Sequence, residues 1–131
     1  MTFAYYEKDQ ADQYSFIRIP KAMMTEDVFA PLSVEAKILY GLLLDKMGAA
    51  VKNQWLDEEN KAYVIYQITD IMEDMNISKK KAIASLKELE EVGLVEKKLA
   101  KDAKATRRIG RRVLINVKVL NKYIETMFDE G

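Results

Sequence analysis

A chain of 131 residues that is 49% apolar and 32% charged has the size and balance of one soluble globular domain with a single core. It contains neither cysteine nor histidine. That excludes disulfides, thiolate or imidazole metal sites, and hydrolytic triads or histidine acid–base chemistry in their usual forms. Twenty-one basic and twenty-one acidic residues cancel overall, yet residues 78–118 hold thirteen basic against five acidic, a local charge of +8 that the remainder offsets with −8. Polarity of this kind orients a protein on a polyanion.

Residues 1–10 carry no apolar h-region, and the longest apolar run, near residues 38–44, is far shorter than a membrane span. The expectation is therefore no secretory signal, no membrane segment and a cytoplasmic protein, which the lack of cysteine fits. The carboxylates Asp57, Glu58, Glu59, Glu73, Asp74, Glu88, Glu90 and Glu91 read as exposed surface charge. Five glycines form no phosphate-cradling motif. No enzyme activity, cofactor or metal is expected.

In chain order, residues 1–13 read as a polar, flexible arm. Residues 14–20 alternate as a short strand stopped by Pro20. Ala22, Met23, Met24, Val28 and Phe29 predict a brief helical turn on the core. Ser33 caps a helix over residues 34–47, with Gly48 following it. Ala36, Leu39, Tyr40, Leu43 and Met47 fall at helical spacing, and Leu32, Ile38, Leu42 and Leu44 widen the stripe into a central helix. Residues 54–56 and 62–66 predict a β-hairpin around a polar loop, with Trp55 as a core or hairpin anchor.

Ile68, Ile71, Met72 and Met75 recur at i, i+3, i+4 and i+7 and predict a helix over Ile68–Met75. Asn76 suits a left-handed turn, Ile77 plugs the gap, and Ser78 caps the next helix, Lys79–Val92. Ala82, Ile83, Leu86 and Leu89 are expected on its packing face, with Lys80, Lys81, Ala84 and Glu88 opposite and Lys87 at the edge. Gly93 ends it. Residues 94–99 and Val113–Val117 read as strands. The loop 100–112 between them has six basic residues against one acidic. Residues 120–131 predict a terminal helix or a linker.

Two helices, a glycine stop and two strands around a basic loop outline an α+β fold: a winged helix-turn-helix over residues 14–119 with an N-terminal strand, a central helix and a β-hairpin. In that architecture Ser78 and Lys79–Lys81 enter the major groove at a helix N-terminus, where backbone amides and dipole favour phosphate. Lys80, Lys81 and Lys87 reach phosphates or guanine edges, and Glu88 accepts from cytosine or excludes other bases. Lys101, Lys104, Arg107, Arg108, Arg111 and Arg112 form a wing that binds phosphates or a narrow minor groove. Aromatic residues near the start (Tyr5, Tyr6, Tyr14 and Phe16) fit either a dimer contact or the chain's own core.

The runs Phe16-Ile-Arg-Ile-Pro-Lys-Ala22 and Leu32-Ser-Val-Glu-Ala-Lys-Ile-Leu-Tyr-Gly-Leu-Leu-Leu-Asp-Lys-Met47 carry a resemblance. Lys52-Asn53, Trp55, Tyr63-Val-Ile65, Ile71-Met-Glu73, Ser78, Ala82, Leu86, Leu89 and Gly93-Leu94 extend it. Over residues 14–117 the chain resembles the N-terminal domain of the replication initiator A family of Gram-positive plasmids and conjugative elements. The resemblance implies binding of double-stranded DNA at tandem origin repeats, usually as a homodimer. It also implies contact with host replication proteins through a C-terminal region beyond these residues. The chain departs from the family pattern in its longer, more basic wing, in lacking Lys-Pro before the return strand, and in Lys81 where Thr is common. A winged-helix transcription regulator, binding a promoter palindrome, shares the fold. A docking module that meets an acidic protein shares the charge.

Overall fold

Serine starts two of the helices in the same way. Ser33 is extended (φ −70°, ψ 162°) and its hydroxyl accepts a hydrogen bond from the Ala36 amide at 3.1 Å. Ser78 repeats this (φ −70°, ψ 161°) with the Lys81 amide at 3.2 Å. Each satisfies an amide that the first helical turn leaves without a partner. The computed structural model describes residues 3–5, 15–56, 59–99 and 113–117. Within them the order is α1 (Ala22–Thr25), a 3-10 turn (Asp27–Phe29), α2 (Val34–Lys52), α3 (Ile68–Met75), α4 (Lys79–Val92), β1 (Val95–Leu99) and β2 (Val113–Val117).

α2 is the centre of the core. Its Ala36, Leu39, Tyr40 and Leu43 are fully buried among Ile71 of α3, Ala82 and Leu89 of α4, and Val64 and Ile115. Each such large aliphatic side chain contributes about 1.5–3 kcal/mol by leaving water. α2 packs on α4 and β2, and α4 packs on α3 and β1. β1 and β2 pair antiparallel, with Val95 opposite Val117 and Leu99 opposite Val113. This is a winged helix-turn-helix: three packed helices followed by a two-stranded wing.

Four expectations from the sequence change. α2 does not stop at Gly48 but runs on to Lys52. Ala50 is buried there, and the helix ends where Gln54 turns left-handed (φ 57°). The Gln54 amide then bonds the Val51 carbonyl and the Trp55 amide bonds the Ala50 carbonyl, a Schellman closure. The hairpin over residues 54–66 reduces to a single bridge, Leu56 to Ala62, because its second arm turns to β2 instead. Val64 and Ile115 exchange both backbone hydrogen bonds at 2.9 Å. Trp55 is half-buried against the core, as an anchor should be.

The third change is at residues 15–20, which are not a strand. Among the described residues no ladder forms along them. They pass instead across α2 at Gly41, where a Cβ would sit 3.0 Å from Ile19 Cγ1 and 3.1 Å from the Arg18 carbonyl oxygen. Glycine inside this helix is explained by that close approach. The fourth change is in the short turn that precedes α2: Met23 and Phe29 are buried as expected, but Met24 and Val28 face solvent. The arm residues 1, 2 and 6–13, Tyr14 at the start of the expected strand, loop residues 57–58, the basic loop 100–112 and the C-terminal segment 118–131 lie outside the described residues.

Candidate nucleic-acid interface

The turn between α3 and α4 is built from three adjacent residues. Asn76 takes the left-handed conformation (φ 53°, ψ 52°), which its short amide side chain tolerates. Ile77 then donates its amide to the Met72 carbonyl at 3.2 Å and packs on the core. Ser78 opens α4. At the other end of α3 the Gln67 amide donates to the Asp70 carboxylate at 3.1 Å. The Tyr66 hydroxyl donates to Asp74 at 2.5 Å, and the Lys46 ammonium of α2 stands 4.5 Å from the Tyr66 ring centroid. Burial, reinforced by Asp74, raises the Tyr66 pKa above its ordinary value. Burial alone pushes Tyr40 up to about 12.

α4 turns Ala82, Ser85, Leu86 and Leu89 inward. At about 100° per residue, the side directly away from that core carries Lys80, Ile83, Ala84, Lys87 and Glu91, spaced i, i+3, i+4, i+7 and i+11. All five are exposed. Lys79, Lys80 and Lys87 make no ion pair among the described residues. This face, beside the N-terminus of α4, is the candidate interface.

The structure corrects the sequence reading at two helix positions. Ile83 was expected on the packing face but is 46% exposed, because the buried stripe is centred on Ala82, Ser85 and Leu89. The buried partner that completes that stripe is Ser85, a polar residue that hydrophobicity alone does not select. Glu88, expected on the face opposite the core, is instead engaged within the domain. Its carboxylate accepts from the Ser33 amide at 2.8 Å and from the Ser33 hydroxyl at 2.7 Å, both partly buried. The charge lies at the N-terminus of α2, where the helix dipole favours it. Nothing in the spacing of residues 55 positions apart indicated that contact.

The flanks of α4 are also tied. Lys81 leans toward Glu35 of α2 at 3.9 Å, so it sits at the edge of the exposed face of α4 rather than at its centre. Glu90 pairs with Lys97 of β1 at 2.7 Å and fixes the root of the wing to the helix. Glu90 and Asp74 thus have specific partners where the sequence suggested only solvated charge. Ser78 serves as the cap and Lys79 stands beside it at the helix start. Lys101, Lys104, Arg107, Arg108, Arg111 and Arg112 fall in the loop outside the described residues.

Fold and surface together define a winged helix-turn-helix domain of the DNA-binding class. More particularly, the chain belongs to the family described as Replication initiator protein A (RepA) N-terminus, which it matches over residues 15–123. It is similar to a 41 kDa protein of Lactobacillus helveticus, 25% identical over 91 residues. That match covers 70% of this chain and 26% of the relative, so the chain spans about a quarter of that protein's length. Among solved structures it is similar to a chain described as "Structure of MDR initiator", 27% identical, covering 98% of this chain and 99% of the other with a TM-score of 0.66. A second, "Structure of Rep-DNA complex", is 25% identical, with 98% of both chains covered and a TM-score of 0.65. A third, "N-Terminal domain of DNA binding protein", shares the fold at 24% identity and a TM-score of 0.66, over 99% of this chain and 98% of that one.

Proposed function

We propose that this domain binds double-stranded DNA sequence-specifically at tandem repeats of a plasmid replication origin. α4 lies in the major groove and the basic loop 100–112 runs along the phosphates. The observation that carries the reading is the exposed stripe on α4, where Lys80 and Lys87 point away from the core while Glu88 fastens the other side of the helix to α2. Membership of the RepA N-terminus family and likeness to a chain from a Rep–DNA complex support it.

Lys80 and Lys87 donate to guanine O6 and N7 or to phosphates, and Lys79 with the open amides at the helix start holds a phosphate. Lys101, Lys104, Arg107, Arg108, Arg111 and Arg112 supply sequence-independent affinity through counterion release. The domain acts in the cytoplasm as a homodimer, and the exposed aromatic surface of Tyr5 and Phe16 supports such a contact. Recruitment of host replication proteins belongs to a region outside these residues.

Fluorescence anisotropy tests the reading, with one duplex carrying direct repeats from the replicon that encodes the chain and one shuffled control. Tighter binding to the repeats, falling steeply with salt, is the expected result. Equal, weak binding to both duplexes refutes sequence-specific origin binding.

A further inference from the structure

The central position of the α4 interface is apolar. Ile83 is 46% exposed. It lies one turn from both Lys80 and Lys87, and Ala84 is beside it on the same face. An isoleucine held in water between two cations gains nothing for the folded domain. The i, i+3, i+7 spacing from Lys80 puts it between the two amines that approach the DNA. In the major groove the one apolar group displayed by a base pair is the thymine 5-methyl. The lysines meet phosphate or guanine edges, and the group left between them must be covered by something without charge.

We infer that Ile83, assisted by Ala84, is a specificity-determining residue that reads the 5-methyl group of thymine in the bound repeat. This rests on the DNA-binding reading above and adds the base it selects. The branched side chain brings two methyl-bearing arms against the thymine, and the alanine beside it leaves room for the base edge to approach the helix. A cytosine there presents an amino group to a methyl-bearing side chain that cannot accept from it, while Glu88 is engaged by Ser33 and Glu91 stands two turns further along the face. Discrimination therefore comes both from methyl contact and from an unpaired donor.

Uracil substitution tests this, because it removes the methyl and leaves the pairing intact. The probe is a duplex selected by the full chain from a randomised pool, resynthesised with each thymine in turn replaced by uracil. Wild type is expected to lose about fourfold in affinity at one or two positions per repeat, the worth of one buried methyl group. Ile83→Ala is expected to bind more weakly and to be indifferent to uracil at those positions, and Ile83→Val to retain most of the sensitivity. Full uracil sensitivity in Ile83→Ala, or none in wild type, overturns the inference and leaves DNA binding intact. A marked loss of thermal stability in Ile83→Ala with unchanged uracil sensitivity also overturns it, by making Ile83 a packing residue. Selection that yields no consensus refutes the sequence-specific DNA-binding reading on which the inference rests.

Discussion

The carboxylate of Glu88 clasps Ser33, accepting from its backbone amide at 2.8 Å and its hydroxyl at 2.7 Å. One contact therefore joins α4 to the N-cap of the core helix α2. Ser33 in turn accepts from the Ala36 amide, so the cap of α2 and the orientation of α4 are a single hydrogen-bonded unit. α4 is fixed on its opposite flank by Glu90 and Lys97. A helix that presents side chains to a groove must hold its rotation about its own axis, and these two ties hold it.

Glu88→Ala is expected to destabilise the domain by about 2 kcal/mol, because it removes two charge-assisted bonds and strands a partly buried amide. Ser33→Ala is expected to cost about 1 kcal/mol through the lost cap. The pair should be non-additive by about 1 kcal/mol or more in a double-mutant cycle followed by urea unfolding. Strict additivity would mean that the contact carries no coupling.

The lysines divide by their position on α4. Lys80→Ala and Lys87→Ala are each expected to lose about tenfold on the preferred repeat and to alter base preference. Lys81→Ala should do less, since its amine leans toward Glu35 at the edge of the face. Replacing Arg107, Arg108, Arg111 or Arg112 should weaken binding to every sequence and lower the salt slope by about one per residue. Competition binding with specific and shuffled duplexes separates the two patterns.

Two helices end in the same Schellman geometry with different residues. Gly93 closes α4 at φ 93°, its amide bonding Glu90 and the Leu94 amide bonding Leu89. Gln54 closes α2 at φ 57° with the equivalent bonds. Gly93→Ala has open space around its Cβ, so its cost is backbone strain, about 1–2 kcal/mol. Gln54→Gly removes that strain and is expected to stabilise by about 0.5–1 kcal/mol. Thermal melts of both variants check the opposite signs.

Alkaline stability follows from the buried tyrosines. Tyr40 is raised from 10.0 to about 12 by burial, and Tyr66 is raised by burial and by its bond to Asp74. Above pH 10 the unfolded chain releases these protons while the native protein retains them, so the stabilisation is complete below pH 10 and is lost as pH rises toward 12. Denaturant midpoints should fall across that window, and Tyr66→Phe should reduce the fall. A midpoint independent of pH there would contradict the assignment.

The helix-turn-helix was legible because its punctuation is local. Asn76, Ser78 and Gly93 each impose a backbone conformation or a cap on the adjacent residues, so α3 and α4 fall where the sequence puts them. Gly48 misled because a glycine within a helix costs only about 1 kcal/mol and the buried Ala50 beyond it outweighs that. The arm at residues 62–66 has strand-forming residues, but its choice of partner, Ile115 rather than residues 54–56, is a long-range matter. Glu88 and Ile83 were misplaced for the same reason. Which face of α4 is inward depends on what α2 offers, and a buried Ser85 shifts the packing stripe by part of a turn.

Guanine N7 methylation interference on the tandem-repeat duplex reports directly on α4 in the major groove, where that atom lies. Methylation of one or two guanines in each repeat is expected to block binding of wild type, and Lys80→Ala or Lys87→Ala to abolish the effect at one of them. Interference confined to minor-groove positions, or none at any guanine, would contradict the placement of α4 in the major groove.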